Sequence, residues 1–312
     1  MQKMVEVNDR DRLLSLCKAL SSPARLEIVR MLSANQGMNL NELAERLEVT
    51  NSAMTAHIRL LEDAGVIFIE TTSGKRGIQK RCHLREGRFM INLLHEQQER
   101  NTYEAEIPIG SYVSYAARPT CGVATSERML GKFDDPRVFD DPDRVYAALL
   151  WLRSGYLEYR LPNYMQPDQR LVELQLTQEL ASEAKGFNED WPSDIYFSIN
   201  GRELGYWTSP GDFGLKRGIY TPDWWVYGLN QYGLLKPLVI NRQGAFIDGR
   251  RIGRYTLDDL GIVSGGEIRY RICAPESAER AGGLTLYGRG FGNYNQGITM
   301  RMVFEDTGRR ED

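Results

Sequence analysis

The sequence is poor in the residues that build metal and disulfide sites, with four cysteines and three histidines in 312 residues. Cys17, Cys82, Cys121 and Cys273 stand far apart and form no C-x-x-C pair. Neither a zinc site nor a disulfide framework is therefore expected. His57, His83 and His95 are equally scattered, so no metal and no other cofactor is expected. No apolar run approaches the ~18 residues needed to cross a bilayer, and the longest is Ala147 to Leu152. The N-terminus lacks the basic-then-apolar order of a signal peptide, because Asn8, Asp9, Arg10, Asp11 and Arg12 occupy the place of the apolar stretch. A cytoplasmic protein with no membrane partner is the expectation. Also missing are a Gly-rich phosphate loop, G-x-S-x-G and H-E-x-x-H. The acid pairs Asp134-Asp135 and Asp140-Asp141 lie in Asp/Pro-rich turns, where caps are expected and not a glycosidase dyad. No catalytic constellation is legible, and an enzyme is not expected.

What is present divides in two. A chain of this length favours about two domains. Hydrophobic residues make up 42% and charged residues 26%, a globular balance with enough apolar surface for cores. The net charge of −3 hides an asymmetry: residues 1–100 carry a slight basic excess, and the rest is acidic. The basic excess is concentrated between Gly74 and Arg88, in Lys75, Arg76, Lys80, Arg81, Arg85 and Arg88, against the one acid Glu86. Such a patch on an acidic chain is an electrostatic footprint for phosphate.

In residues 1–100 the apolar residues recur at helical spacing. Leu13, Leu16, Cys17 and Leu20 mark one helix over Asp9 to Leu20. Ser22 as N-cap and Pro23 at the first helical position open a second, with Leu26, Ile28, Val29, Met31 and Leu32. Asn39 and Glu42 have capping-box spacing before Leu40, Leu43, Ala44 and Leu47. After the turn Val49, Thr50, Asn51, a further helix runs from Ser52 to a stop at Gly65. Its Met54, Ile58 and Leu61 face inward, leaving Ser52, Thr55, His57 and Arg59 to face out. Two short helices across a three- or four-residue turn make a helix-turn-helix. Small polar residues at the start of its second helix suit base edges in the major groove. V-I-F-I-E-T-T, a basic turn and Cys82 to Leu84 then read as a wing whose cations would meet phosphates. The expected DNA-contacting set is Thr50, Asn51, Ser52, Thr55, His57, Arg59, Lys75, Arg76, Lys80 and Arg81.

The stretches A-L-S-S-P-A-R-L-E-I-V-R-M-L, L-x-E-L-A-E-R-L and S-x-x-T-x-H-I-R-L-L-E-D-A-G-V-I, in that order, resemble the ArsR/SmtB type of winged-helix regulator. The resemblance covers about residues 10–100. It implies a homodimer with a repressor-like role on double-stranded operator DNA, read by the helix from Ser52 to Ala64. It further implies dimerisation through terminal helices, here Asp9 to Leu20 and Glu86 to about Arg100, with Phe89, Met90, Leu93 and Leu94 as a stripe. That stripe equally suits packing within its own domain. The metal-sensing members carry cysteines on the first helix of the helix-turn-helix; this chain has none between Leu40 and Leu47, so metal sensing is not expected.

Beyond residue 100 helical periodicity gives way to short β-rich runs between Gly, Pro, Asn and Asp. Val172, Leu174 and Leu176 alternate with Glu173, Gln175 and Thr177, as in a strand with one wet face. Asn200-Gly201 is a hairpin signal, and a second hairpin is expected through Gly265-Gly266. The fold class expected is α+β multidomain: a mainly-α winged helix-turn-helix over 1–100 and an all-β jelly-roll sandwich over 101–312. The I-N-G hairpin and the final β-rich run loosely resemble galactose-binding-like jelly rolls, which implies a carbohydrate-recognition module. Aromatics beside polar residues suit a sugar. They are Trp207, Asp212, Tyr220, Asp223, Trp224, Trp225, Asn230, Gln231, Tyr232, Asn293 and Tyr294, and they form the expected ligand set. The sequence therefore reads as a dimeric DNA-binding regulator whose second domain senses a small-molecule effector, most plausibly a carbohydrate. Two alternatives stand beside it: a protein-interaction or assembly platform in place of the sensor, and a carbohydrate-active enzyme with a winged-helix appendage.

Overall fold

A computed structural model describes residues 3–6, 9–35, 37–74, 77–85, 89–92 and 101–307. The chain divides into two compact units, Met1–Glu99 and Arg100–Asp312. The first runs β1 (Lys3–Glu6), α1 (Arg10–Leu20), α2 (Pro23–Ala34), β2 (Met38–Asn39), α3 (Leu40–Arg46), α4 (Asn51–Asp63), β3 (Ile67–Gly74), β4 (Gly77–Leu84) and β5 (Phe89–Asn92).

Local signals fix the helix ends. Asp9 caps α1, accepting from the Arg12 N–H at 3.2 Å. Pro23 occupies the first position of α2, and Ser22 precedes it without a side-chain cap bond. Asn39 and Glu42 form the full capping box of α3, with bonds of 2.9 and 3.0 Å. Leu16, Ala19, Ile28, Met31, Leu32, Leu43, Met54, Ile58, Leu61 and Ile67 meet in one apolar core. Each fully buried aliphatic side chain there contributes about 1.5–3 kcal/mol. β2, β4 and β3 form a three-stranded antiparallel sheet in that order, which places the β3–β4 hairpin as a wing beside the helices.

One expectation fails here. Phe89 and Met90 belong to a strand: β5 pairs in parallel with β1, Lys3 opposite Phe89. The run Phe-Met-Ile finds an extended backbone partner, and Phe89 packs against the helical core. Leu93 and Leu94, with the rest of the helix expected to about Arg100, lie outside the described residues.

The second unit is all β apart from short 3₁₀ turns. Its strands are β6 (Asn101–Ile107), β7 (Ser114–Thr125), β8 (Ala147–Leu161), β9 (Gln169–Ala181), β10 (Ser193–Ile199), β11 (Arg202–Ser209), β12 (Leu234–Asn241), β13 (Gly244–Ile247), β14 (Arg250–Gly253), β15 (Ile268–Ala274), β16 (Leu284–Tyr287) and β17 (Ile298–Asp306). All twelve are hydrogen-bonded into one sheet. The main path is β11-β10-β15-β8-β16-β9-β12-β13-β14; β7 also joins β8, and β17 joins β9 and β6. Short β16 bridges the long strands β8 and β9, so the sheet has two halves. Leu157, Tyr159, Phe197 and Ile272 from one half share a core with Leu174, Leu176, Ile240, Met300 and Met302 from the other. The expected jelly roll is thus not reproduced as two separate sheets; the strands form one continuous, rolled sheet.

Turn chemistry explains the hairpins. Asn200 (φ 48°) and Gly201 (φ 76°) join β10 to β11 with both central residues left-handed, the signature of a type I′ turn. Asp248 (φ 51°) and Gly249 (φ 76°) do the same between β13 and β14. Gly265-Gly266 does not close a hairpin, because β15 pairs with β8 and β10 and not with its predecessor β14. The alternation expected over Val172, Leu174 and Leu176 holds only from Leu174 to Leu176; Val172 is half-buried like Glu173, and Leu171 is buried in its place. From Leu176 to Ala181 both faces are buried, polar Thr177, Gln178 and Glu179 included.

Candidate functional site

In the first unit, α4 presents two unlike faces. Met54, Ile58 and Leu61 are buried, while Asn51, Ser52, Thr55 and Arg59 are exposed. Thr50 is the N-cap, its hydroxyl accepting from the Ala53 N–H at 3.2 Å. The Thr55 hydroxyl donates back to the Asn51 carbonyl at 2.8 Å, and Arg59 lies 3.9 Å from Asp63 one turn on. His57 departs from the outward placement expected. It is half-buried on the flank, Nδ1 3.5 Å from Arg25 Nη1. Arg25 in turn donates to the carbonyls of Lys18 and Ala19 at the end of α1, 2.6 Å each. On the wing, Lys80 and Arg81 are exposed; Lys75 and Arg76 lie outside the described residues. His83 stacks on Phe68 with ring centroids 5.1 Å apart and sits 3.1 Å from Glu70. This geometry offers a helix edge of small polar groups and one cation, Arg59, beside a hairpin bearing further cations.

In the second unit the expected ligand set does not converge as a whole. Trp207 packs against the main core with Lys236 Nζ 4.9 Å from its ring. Tyr232 stacks on Phe213 at 5.1 Å. The Asn293 side chain accepts from the Ile219 N–H, and the N–H groups of Asn293 and Tyr294 donate to Glu179. The Tyr220 N–H donates to the Gly292 carbonyl. Asp223 is fully exposed, 4.0 Å from Arg217. Gln231 is buried and donates to the Val226 carbonyl at 2.9 Å. These residues hold the long connection from 210 to 233 in place.

Trp225 and Asn230, by contrast, line a cavity of about 150 Å³. Trp151 and Phe133 share its walls; Glu183, Asp134, Thr120 and Lys185 supply its polar groups. Trp225 meets Trp151 at 5.7 Å between centroids and 62°, Phe133 at 6.4 Å, and Trp224 at 5.5 Å and 89°. Trp151 lies against Gly122, where any Cβ would come within 2.2 Å of its ring. Trp225 is fixed by its own N–H, which donates to the Asn230 carbonyl at 2.9 Å. Trp224 donates to the Ser126 carbonyl at 2.7 Å and stands beside the cavity without lining it.

Glu183 is the cavity's most unusual group. It is 6% exposed, and its Oε2 accepts from Asn230 Nδ2 at 3.1 Å and from the Thr285 hydroxyl at 3.2 Å. Burial pushes its carboxyl well above the ordinary range, and nearby Asp212 adds to the push. Asp212 is wholly buried behind it and accepts from the Ala184 N–H at 3.1 Å. Burial lifts Asp212 to about 7 against that one hydrogen bond. Asp134 at the cavity accepts from the Cys121 N–H at 3.0 Å. Asp135 and Asp141 cap 3₁₀ turns, and Asp140 accepts from the Tyr115 hydroxyl at 2.6 Å. Two wider grooves, about 400 and 390 Å³, carry the Glu106–Arg289 ion pair in one and Met165, Leu171 and Val263 in the other. Neither has a buried unpaired acid.

Sequence reasoning misses Glu183, Trp151, Phe133 and Thr120. The available signal was the run Thr177, Gln178, Glu179, Ser182, Glu183, polar residues continuing a strand past its alternating half. Among the described residues, no group of three or more His, Cys, Asp or Glu is placed to hold a metal ion, and no helix is long and apolar enough to cross a membrane.

Residues 20–67 match the family described as a helix-turn-helix domain. The unit thus carries a helix-turn-helix, and α3 and α4 are its two helices. Solved structures similar to part of the chain include HlyU from Vibrio cholerae N16961, 26% identical, covering 25% of this chain and 80% of that one with a TM-score of 0.22. Its reduced form is also 26% identical, covering 26% and 79%, with a TM-score of 0.22. No curated protein matches the chain.

Proposed function

We propose that the protein is a DNA-binding transcriptional regulator whose second unit senses a small ligand. One observation carries the DNA-binding half: the family-matched helix-turn-helix leaves Asn51, Ser52, Thr55 and Arg59 exposed on α4, with the cations Lys80 and Arg81 exposed on the neighbouring hairpin. A recognition helix reads base edges with residues near its N-terminus, and wing cations hold phosphates. A homodimer would present two such helices to half-sites one helical turn apart. The ArsR-like resemblance adds a repressor-like sign and a cytoplasmic setting to this reading. The cavity at Trp225 supports the sensing half, because it joins aromatic walls to a buried acid, as ligand sites do. A coupling of about 1–3 kcal/mol between the two would change operator occupancy 5- to 150-fold.

Selection of duplexes from a random-sequence pool by the full chain tests the DNA-binding half. The expected outcome is enrichment of a pseudo-palindrome, with enrichment lost in Arg59→Ala. Equal recovery of all sequences by both proteins contradicts it.

A further inference from the structure

We propose that the cavity at Trp225 takes a small organic monocation, an alkylammonium head group, held between an aromatic wall and the buried carboxyl of Glu183. This rests on the reading of the cavity as a ligand pocket and names the ligand class.

The charge arithmetic points there first. Glu183 and Asp212 are both more than nine-tenths buried. Among the described residues, the donors to Glu183 and Asp212 are neutral: the Asn230 amide, the Thr285 hydroxyl and the Ala184 N–H. Among the described residues, no lysine or arginine nitrogen lies within 4.0 Å of Glu183, Asp212 or Asp134, although Lys185 lines the same cavity. Asp212 Oδ1 has no hydrogen-bond partner among the described residues. A buried acid without a counter-cation is held protonated, and a ligand carrying one positive charge favours ionisation of the acid it meets.

The walls point the same way. Indole faces attract cations more strongly than other rings do, and Trp151, Trp225 and Phe133, packed on one another with centroids 5.7 to 6.4 Å apart, form one aromatic wall of this cavity. The rings are inclined at 37° to 62° and do not form one flat platform. Trp151 and Trp225 are 3% and 2% exposed. A sugar needs an open ring face on which to stack, whereas a small, mostly buried wall of inclined rings opposite an acid suits a compact head group. The groups that face the ligand are Glu183, Asp134 and Lys185, with Asp212 and the Tyr287 hydroxyl behind.

Isothermal titration calorimetry on the full chain at pH 8 tests this with four probes: choline, tetramethylammonium, the uncharged choline isostere 3,3-dimethylbutan-1-ol, and a panel of neutral monosaccharides. Saturable binding of the two cations is expected, about tenfold or more tighter than the isostere. In buffers of different ionisation enthalpy, cation binding releases protons, because Glu183 gives up its proton beside the ligand. Glu183→Gln keeps the shape and loses the binding. Phe133→Ala, at a position 52% exposed and tolerant of truncation, weakens it. Equal binding of choline and its isostere overturns the inference. A monosaccharide that binds and is lost in Glu183→Gln overturns the cation but keeps the pocket. Folded protein that binds none of the four probes overturns both.

Discussion

Both units bury apolar residues, but they differ in whether they bury polar ones as well. Among the described residues, the core of residues 9–92 contains no buried polar or charged side chain, and every such residue lies between Thr125 and Gln296. The helical unit keeps its chemistry on the surface, where Arg59, Lys80 and Arg81 are exposed. The β unit keeps its own inside, in Glu179, Glu183, Asp212, Asn230 and Thr285. A surface fits a large polyanion, which must be met from outside. An interior fits a small ligand, which can be enclosed. The difference also separates the experiments. All five tryptophans (151, 191, 207, 224 and 225) lie in the β unit, so their fluorescence reports on it alone. The α-helices of the described residues are all in the first unit, so helical circular dichroism reports on that one.

The comparison breaks most visibly at Glu179. Its carboxylate accepts from the N–H groups of Gly233, Asn293 and Tyr294. Gly292 (φ 72°) lets the loop come this close, since a Cβ there would fall 2.4 Å from the carboxylate. Glu179→Ala strands these buried and half-buried donors and is expected to cost about 3–5 kcal/mol. Denaturant unfolding followed by tryptophan fluorescence measures it. A cost no larger than that of a surface substitution would show that the buried polar network carries no stability.

Asp212 gives the next effect, through pH. Its folded value of about 7 lies above the ordinary 3.8. The folded state therefore holds a proton that the unfolded state releases. Stability from this group is complete below about pH 4 and is lost as pH rises through 7, by at most about 4 kcal/mol. Glu183 acts in the same direction. Comparing the fluorescence transition of the wild type with Asp212→Asn at pH 5 and pH 8 isolates the term. The wild type should lose stability relative to the variant on going to pH 8; a constant difference rules the effect out.

How much of this was legible in the sequence follows the same division. Helix caps and a 3.6-residue period are local, so Asn39, Glu42, Pro23, Met54 and Ile58 could be placed from spacing alone. Asn200-Gly201 is local in the same sense. The β unit depends on pairings far apart in sequence. The contact of Trp151 with Trp225, and the bonds from Asn230 to Glu183, span dozens of residues and leave no periodic trace. The aromatic cluster near 224 was visible, but its partners on β8 and β9 were not. The second half of β9 is buried on both faces, which erased the alternation that would have flagged it.

Smaller effects belong to the helical unit. Asn39→Ala removes half of the capping box and is expected to cost about 1 kcal/mol in the helical signal, with the tryptophan transition as its control. Arg59→Ala should leave stability within about 0.5 kcal/mol, since the side chain is exposed, while duplex affinity falls.

The most direct test of the account is the salt dependence of duplex binding by the full chain, from 50 to 200 mM, for the wild type, Lys80→Ala, Arg81→Ala and Glu183→Gln. Each cation that meets a phosphate contributes roughly one unit to the slope of log affinity against log salt. A shallower slope is expected in Lys80→Ala and Arg81→Ala and an unchanged slope in Glu183→Gln. A slope insensitive to the wing cations, or one that follows Glu183 instead, would contradict it.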